Sequence, residues 1–266
     1  MQWIDVNGVV MRYRLEGSEG PVVALVHEMG GMLESWDDVA HTLAQSYRVL
    51  RYDMRGSGLS EKIHCDVTME ELADDLAGLL DLLDIKDRVA VVGCAMGGAV
   101  ALYFAGKYPE RASAVVAMSP AAGVPSDLRD ERLAAADRIA VTGLRAVDTK
   151  AAYENTYPSV LQDLDNNRFN RFRLRKLTFD PVSLRYLLRM VVNTDLSDLL
   201  PRIACPVLGI GGLYDKARPA KATEAMIAQV PNHKYQALQT GHYMPISNPE
   251  ELSNILANFL AEVKPA

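Results

Sequence analysis

The architecture of the chain turns on Val89-Ala90-Val91-Val92-Gly93-Cys94-Ala95-Met96-Gly97-Gly98-Ala99-Val100-Ala101-Leu102. It opens as an apolar, mostly β-branched run of strand length and closes in helix-forming residues, with glycines packed between. Such a junction is a strand-to-helix turn. In the pattern G-x-S-x-G the central residue is a nucleophile held on that turn in a strained conformation. The flanking glycines are required because a β-carbon there would collide with the neighbouring strand and helix. Gly93 and Gly97 are both in place, and Ala95 stands where the serine is expected. The uncharged run extends for 18 residues, from Val89 to Gly106, the length at which a membrane span is considered. Its four glycines and its polar, amphipathic neighbours predict a buried strand, a tight turn and a buried helix instead.

Working outward, Asn7-Gly8 accepts the positive φ angles of a type I′ turn, so the first fifteen residues read as a β-hairpin. Apolar runs follow at 21–26, 47–52, 88–92, 114–118, 206–210 and 233–238, separated by helical patterns. Runs that are apolar on both faces and alternate with helices describe a mostly parallel sheet with helices on both faces, an α/β fold. Thr68-Met69-Glu70-Glu71 forms a capping box, followed by a stripe at Leu72, Leu76, Leu79, Leu80 and Leu83. Asn248-Pro249-Glu250-Glu251 opens the last helix, which buries Leu252, Ile255, Leu256, Phe259 and Leu260. From Ser119 to Cys205 the alternation stops, and only helical patterns remain. The expected division is a core of residues 1–122 and 200–266, with residues 123–199 inserted as a helical cap over the loops that carry the site.

The partners of the turn can be sought by chemical role. His27-Glu28-Met29-Gly30-Gly31 follows an early strand, where a glycine-containing loop can aim a backbone N–H at a developing oxyanion. The expected donors are Met29 and Met96, the latter directly after the turn residue. His242, in Gly241-His242-Tyr243, lies between the last strand and the last helix and is the candidate base. Asp215, after the preceding strand, is the candidate acid that orients it. Nucleophile, acid and histidine occur in that order along the chain.

On these residues the chain resembles the α/β-hydrolase fold family, from the N-terminal hairpin to the final helix. Asp53-Met54-Arg55-Gly56-Ser57-Gly58-Leu59-Ser60 matches the family's signature after a strand, and Trp36 follows His27 at the spacing of many small esterases. Within the family the chain is most similar to compact esterases, enol-lactone hydrolases and ring-cleavage hydrolases. The resemblance implies a Ser-His-Asp mechanism on a small ester or lactone, without cofactor or metal. An amidase or a carbon–carbon bond hydrolase would use the same triad, and a small-molecule receptor would use the same pocket without turnover. A haloalkane dehalogenase is disfavoured, because that chemistry needs a carboxylate at position 95.

Two departures stand out. The methyl group of Ala95 cannot attack a carbonyl, so the chain as written lacks the acyl-enzyme route. Serine-to-alanine replacement of a working hydrolase and a natural pseudoenzyme both remain open. The retention of Gly93, Gly97, His242 and Asp215 together favours replacement. Cys94 as the nucleophile would need small residues at 92 and 96, where Val92 and Met96 stand, so its thiol is expected to be buried. Glu28 replaces the usual glycine after His27. It is expected to face solvent or a neighbouring loop or, if Ala95 is native, to activate water directly with His242. His27 is expected to organise its loop by hydrogen bonds, and Asp53 likewise.

The chain of 266 residues carries 28 Lys and Arg against 34 Asp and Glu, a net charge of −6. An acidic chain with no dense basic tract argues against nucleic acid as a partner. Three cysteines without CxxC spacing argue against a disulfide framework and a zinc site, and they fit a reducing cytoplasm. The N-terminus has neither a basic region nor an apolar core, so no signal peptide is expected. A small-molecule substrate is the expected partner, with no membrane association and room for a homodimer. Residues 168–189 hold seven positive side chains and one negative one. For most of them a solvated helix face is the expected reading, and one or two, Arg168 and Arg171 first, would select a carboxylate-bearing substrate if they reach the cleft. Glu28, Gly30, Trp36 and Tyr243 complete the expected substrate contacts, and Met118 and Met244 also fall close by.

Overall fold

A computed structural model describes residues 2–121 and 123–263. Residue 122, where the first boundary of the cap is expected, and the chain's first residue lie outside them. Strands β1 (Gln2–Val6), β2 (Val9–Glu16), β3 (Val22–Val26), β4 (Arg48–Tyr52), β5 (Val89–Cys94), β6 (Ala112–Met118), β7 (Val207–Gly212) and β8 (His233–Leu238) form one sheet in the order β1-β2-β4-β3-β5-β6-β7-β8. The pairs β1·β2 and β2·β4 are antiparallel, and the others are parallel. Asn7 and Gly8 turn the first hairpin with φ of 52° and 77°, the left-handed pair a type I′ turn needs.

Helices α1 (Asp37–Leu43), α2 (Met69–Leu82), α3 (Met96–Lys107), α4 (Ser126–Thr142), α5 (Lys150–Tyr153), α6 (Ser159–Leu164), α7 (Asn166–Lys176), α8 (Pro181–Asn193), α9 (Ala220–Ile227), α10 (Met244–Ser247) and α11 (Pro249–Glu262) complete the regular structure. The two faces of β5 show why its sequence is apolar throughout. Val89 and Val91 pack with Leu72, Leu76 and Leu79 of α2 and Val100 of α3. Ala90 and Val92 pack with Val39 and Leu43 of α1 and Leu252 and Leu256 of α11. Side chains alternate across a strand, so both sets are buried at once. Each fully buried Val or Leu contributes roughly 1.5–3 kcal/mol. By contrast β8, at the sheet edge, exposes most of its residues.

The capping box forms as expected: Thr68 Oγ1 accepts from Glu71 N–H at 3.1 Å, and Glu71 Oε2 accepts from Thr68 N–H at 2.8 Å. Asn248 occupies the N-cap of α11, but its side chain bonds Glu251 instead of a backbone amide. Between β6 and β7, α4 to α8 are helical, with no strand among the described residues. An aromatic cluster of Tyr153, Tyr157, Phe169 and Phe172 meets Tyr243 of the sheet-borne loops, joining these helices to the sheet. No helix among the described residues is long and apolar enough to cross a membrane.

Candidate active site

The turn after β5 has the geometry its glycines require. Ala95 sits at φ 52° and ψ −114°, a region that costs a residue with a β-carbon about 1–3 kcal/mol. A β-carbon on Gly93 would overlap the carbonyl of Gly97, and one on Gly97 would overlap the carbonyls of Val26 and His27. Steric exclusion therefore fixes both glycines. Ala95 N–H donates to Met118 O at 2.8 Å and its carbonyl accepts from Ala121 N–H at 2.9 Å, so both neighbouring segments hold the strained residue. Met96 is the first residue of α3, where backbone N–H groups lack intrahelical acceptors and the helix dipole favours negative charge.

His242 and Asp215 meet although 27 residues separate them: Nδ1 to Oδ2 is 2.7 Å. A carboxylate only accepts, so Nδ1 carries a proton, and in the neutral imidazole Nε2 then presents a lone pair. Nε2 has no protein partner among the described residues. Asp215 Oδ1 is tied by the amides of Ala217 and Arg218, each at 2.9 Å, which fixes the carboxylate for the imidazole. The inserted helices hold both loops by main-chain bonds: His242 N–H donates to Thr156 O at 2.7 Å, and Lys216 N–H donates to Asn155 O at 2.9 Å. Sequence reading misses Asn155 and Thr156 because only their carbonyls act, and a carbonyl leaves no mark on residue type.

The loop after β3 is ordered by His27. Its Nε2 accepts Met54 N–H at 3.1 Å while Nδ1 donates to Glu28 O at 2.7 Å, so this ring is committed to structure. Glu28 is buried beside it. Its Oε1 accepts from Ser35 Oγ at 3.0 Å, whereas Oε2 has no partner. A β-carbon on Gly31 would overlap that carboxylate, so the glycine at 31 makes room for the glutamate at 28. The Cys94 thiol is also buried and donates to His242 O at 3.3 Å. Burial, with the Glu28 and Asp215 carboxylates adding to it, holds its pKa well above the ordinary thiol value.

Met29, Gly30 and Tyr243 line a cavity of about 230 Å³ roofed by Ile139, Leu144, Tyr153 and Leu188 of the inserted helices. Four expected contacts do not line it, and one of them is Glu28, which is buried instead of facing solvent. Trp36 is fully buried in the core with Val39 and Leu43. Arg168 faces outward, bonded to Asp165 and the carbonyl of Ile246 and near Asp38 and Glu250. Arg171 is exposed and lines a shallow recess beside Asp37 and Asp38. The physical reason is helix periodicity. Phe169 and Phe172 of α7 are buried, so 169, 172 and 176 form the inner face, and 168, 171 and 175 lie one residue, about 100°, away. Lys176, not an arginine, lines the cavity. Met96, Met118 and Met244 are fully buried core residues, and Met29 alone of the four methionines lines the cavity.

A family model described as alpha/beta hydrolase fold matches residues 21–249. The chain is 28% identical to a putative carbamate hydrolase RutD from Yersinia enterocolitica, over 94% of this chain and 92% of the relative. Among solved structures it is similar to a thermophilic esterase from Thermogutta terrifontis, with a TM-score of 0.92 and 26% identity, covering 99% of each chain. It is also similar to the enol-lactonase from Burkholderia xenovorans, with a TM-score of 0.91 and 25% identity, covering 98% of this chain and all of that one.

Proposed function

From the premise that this chain belongs to the α/β hydrolase fold family, we propose that its site is that of a serine hydrolase of small esters or lactones in which alanine holds the nucleophile position. The observation that carries this reading is the pairing of a strained Ala95 with an intact His242–Asp215 dyad. Backbone strain and a buried, oriented imidazole are both costly to keep without a reaction to serve. In the serine form the hydroxyl attacks the carbonyl and His242 Nε2 takes its proton. Asp215 stabilises the resulting imidazolium, and the N–H groups of Met29 and Met96 bind the oxyanion. His242 then returns the proton to the leaving oxygen, and water repeats the cycle on the acyl-enzyme. The relatives named as carbamate hydrolase, esterase and enol-lactonase support acyl transfer from oxygen-bearing carbonyl compounds.

The test is Ala95→Ser. A folded serine form should hydrolyse 4-nitrophenyl esters of short acids about 10⁴-fold or more faster than the alanine chain, and should be labelled by a fluorophosphonate. A folded serine form that does neither overturns the reading and leaves a binding protein.

A further inference from the structure

We propose that Lys176 is the specificity-determining residue of this site, selecting substrates whose acyl portion carries a carboxylate. The proposal rests on the hydrolase reading above for its turnover test, and on the cavity itself for its binding test.

The cavity over the oxyanion loop is lined by Met29, Gly30, Ile139, Leu144, Val147, Ala152, Leu177 and other apolar groups, with Tyr153, Thr156 and Tyr243 as its neutral polar residues. Lys176 is the single charged residue in its lining among the described residues. Its ammonium donates to Tyr243 Oη at 2.9 Å and lies 4.6 Å from the centre of the Tyr243 ring and 5.4 Å from that of Phe172. A hydroxyl and two ring faces orient a cation without neutralising it. No carboxylate of the described residues pairs with it. Of the six other cations in the same charged stretch, four meet carboxylates, Arg168 with Asp165, Arg173 with Asp148, Arg185 near Asp137 and Arg189 with Asp66, and Arg171 and Arg175 line the separate recess beside Asp37 and Asp38.

Position makes that unpaired charge specific. Lys176 is the last residue of α7 and shares the helix's buried face with Phe169 and Phe172, so its stem is packed and its head delivered inward. Its Cε lies 3.2 Å, and its Nζ 3.5 Å, from where a β-carbon on Gly30 would stand. The charge therefore sits against the loop that supplies the Met29 N–H, and beside the residue that follows His242. A small acyl group bound with its carbonyl at Met29 would bring a carboxylate a few bonds further along to Lys176. An acid of this kind replaces the ammonium's lost hydration with a charge-assisted hydrogen bond inside an apolar wall, where a neutral chain leaves the cation unpaired.

The experiment uses matched esters, mono-4-nitrophenyl glutarate against 4-nitrophenyl pentanoate, with the Ala95→Ser chain and its Lys176→Met and Lys176→Arg derivatives. The expected result is a preference for the glutarate ester in kcat/KM. Lys176→Met should lower that preference at least 10-fold, through KM, while leaving the pentanoate ester within 2-fold, and Lys176→Arg should restore part of it. Lys176→Met that leaves the ratio unchanged overturns the proposal. So does an equal loss of kcat on both esters, which would make Lys176 a support for the oxyanion loop. Calorimetric titration of the alanine chain with monomethyl glutarate stands apart from turnover. Binding at least 10-fold weaker in Lys176→Met supports the proposal even if the serine form hydrolyses nothing, and equal or absent binding in both overturns it. Lys176→Gln, which keeps a polar head, serves in place of methionine if the latter unfolds.

Discussion

Asp53 and Glu28 are both buried carboxylates, placed just beyond the ends of the neighbouring parallel strands β4 and β3, and their surroundings are opposite. Asp53 Oδ2 accepts from Arg12 Nε at 2.6 Å and from Leu59 N–H at 2.7 Å, and Oδ1 accepts from Leu33 N–H at 2.7 Å. A β-carbon on Gly58 would overlap it, so its loop is wrapped onto the carboxylate. Glu28 has Ser35 alone, and no Lys or Arg among the described residues pairs with it. Asp53 accordingly works for the fold: one paired anion fixes β2, the turn before α1 and the 53–60 loop. Glu28 lies in the loop beside the site and leaves one carboxyl oxygen buried without a partner, a cost of the kind that functional positions carry.

Asp53→Ala should have the largest effect on stability. Arg12 would stay buried and keep the partly exposed Glu34, while Arg12 Nε and Nη2 and the amides of Leu33 and Leu59 would lose their acceptor. Removing one partner of a buried pair costs about 3–5 kcal/mol, and the remaining Glu34 sets the expectation near 3 kcal/mol. Urea unfolding at pH 7 measures it. A loss under about 1 kcal/mol would mean that Asp53 organises nothing. Glu28→Gln should move the same midpoint the other way, by about 1 kcal/mol, because an amide still accepts from Ser35 and no longer buries a charge. Destabilisation by Glu28→Gln would show that Glu28 belongs with Asp53 after all.

The two carboxylates also mark what a sequence discloses. Gly93, Gly97, the capping box at Thr68 and the order of Ala95, Asp215 and His242 were legible, because each meets a demand that only one or two residue types satisfy. Asp53 was legible through its glycine-rich loop. Glu28 stood out as a departure, but whether its oxygens found partners depended on Ser35 and Gly31 in three dimensions. Trp36 and Arg168 lie away from the cavity, which their spacing does not disclose, because spacing gives a distance along the chain and no direction. Lys176 carries a readable signal, four residues after Phe172 and seven after Phe169, as 169, 172 and 176 repeat at helical period. The density of the surrounding positive charge masked it. The holding carbonyls of Asn155 and Thr156 had no signal to read.

A third carboxylate extends the comparison to the inserted helices. Asp148 accepts from Arg173 at 2.8 Å on Oδ1 and 2.6 Å on Oδ2, and from Tyr153 Oη at 3.1 Å. These bonds, Arg173 foremost, hold its carboxyl below the ordinary aspartate value. A depressed folded pKa contributes stability that is complete above the unfolded pKa, near pH 4, and is lost as pH falls through the folded value. Wild type should therefore exceed Asp148→Asn in urea midpoint at pH 6, by less than the Asp53 effect. The two should converge as the pH is taken below about 4. A gap independent of pH would assign Asp148 to packing instead of charge.

The smallest expected effect concerns the thiol that reports the field of Glu28. Cys65 is exposed, while Cys94 and Cys205 are buried. Burial raises the Cys205 thiol to about 11 and keeps Cys94 well above its ordinary value, with Glu28 contributing second to desolvation. Native protein should yield one thiol to Ellman's reagent at pH 8, and unfolded protein all three. Glu28→Gln removes a negative charge from beside Cys94, which favours the thiolate, yet the larger contribution from burial remains. The native count should stay at one, with at most a modest rise in the slow labelling rate of Cys94. A second thiol reacting promptly in the folded Glu28→Gln variant would mean that the unpaired carboxylate, and not burial, silences Cys94. Glu28 would then be the dominant charge of the site, and its contrast with Asp53 would be greater than its hydrogen bonds alone indicate.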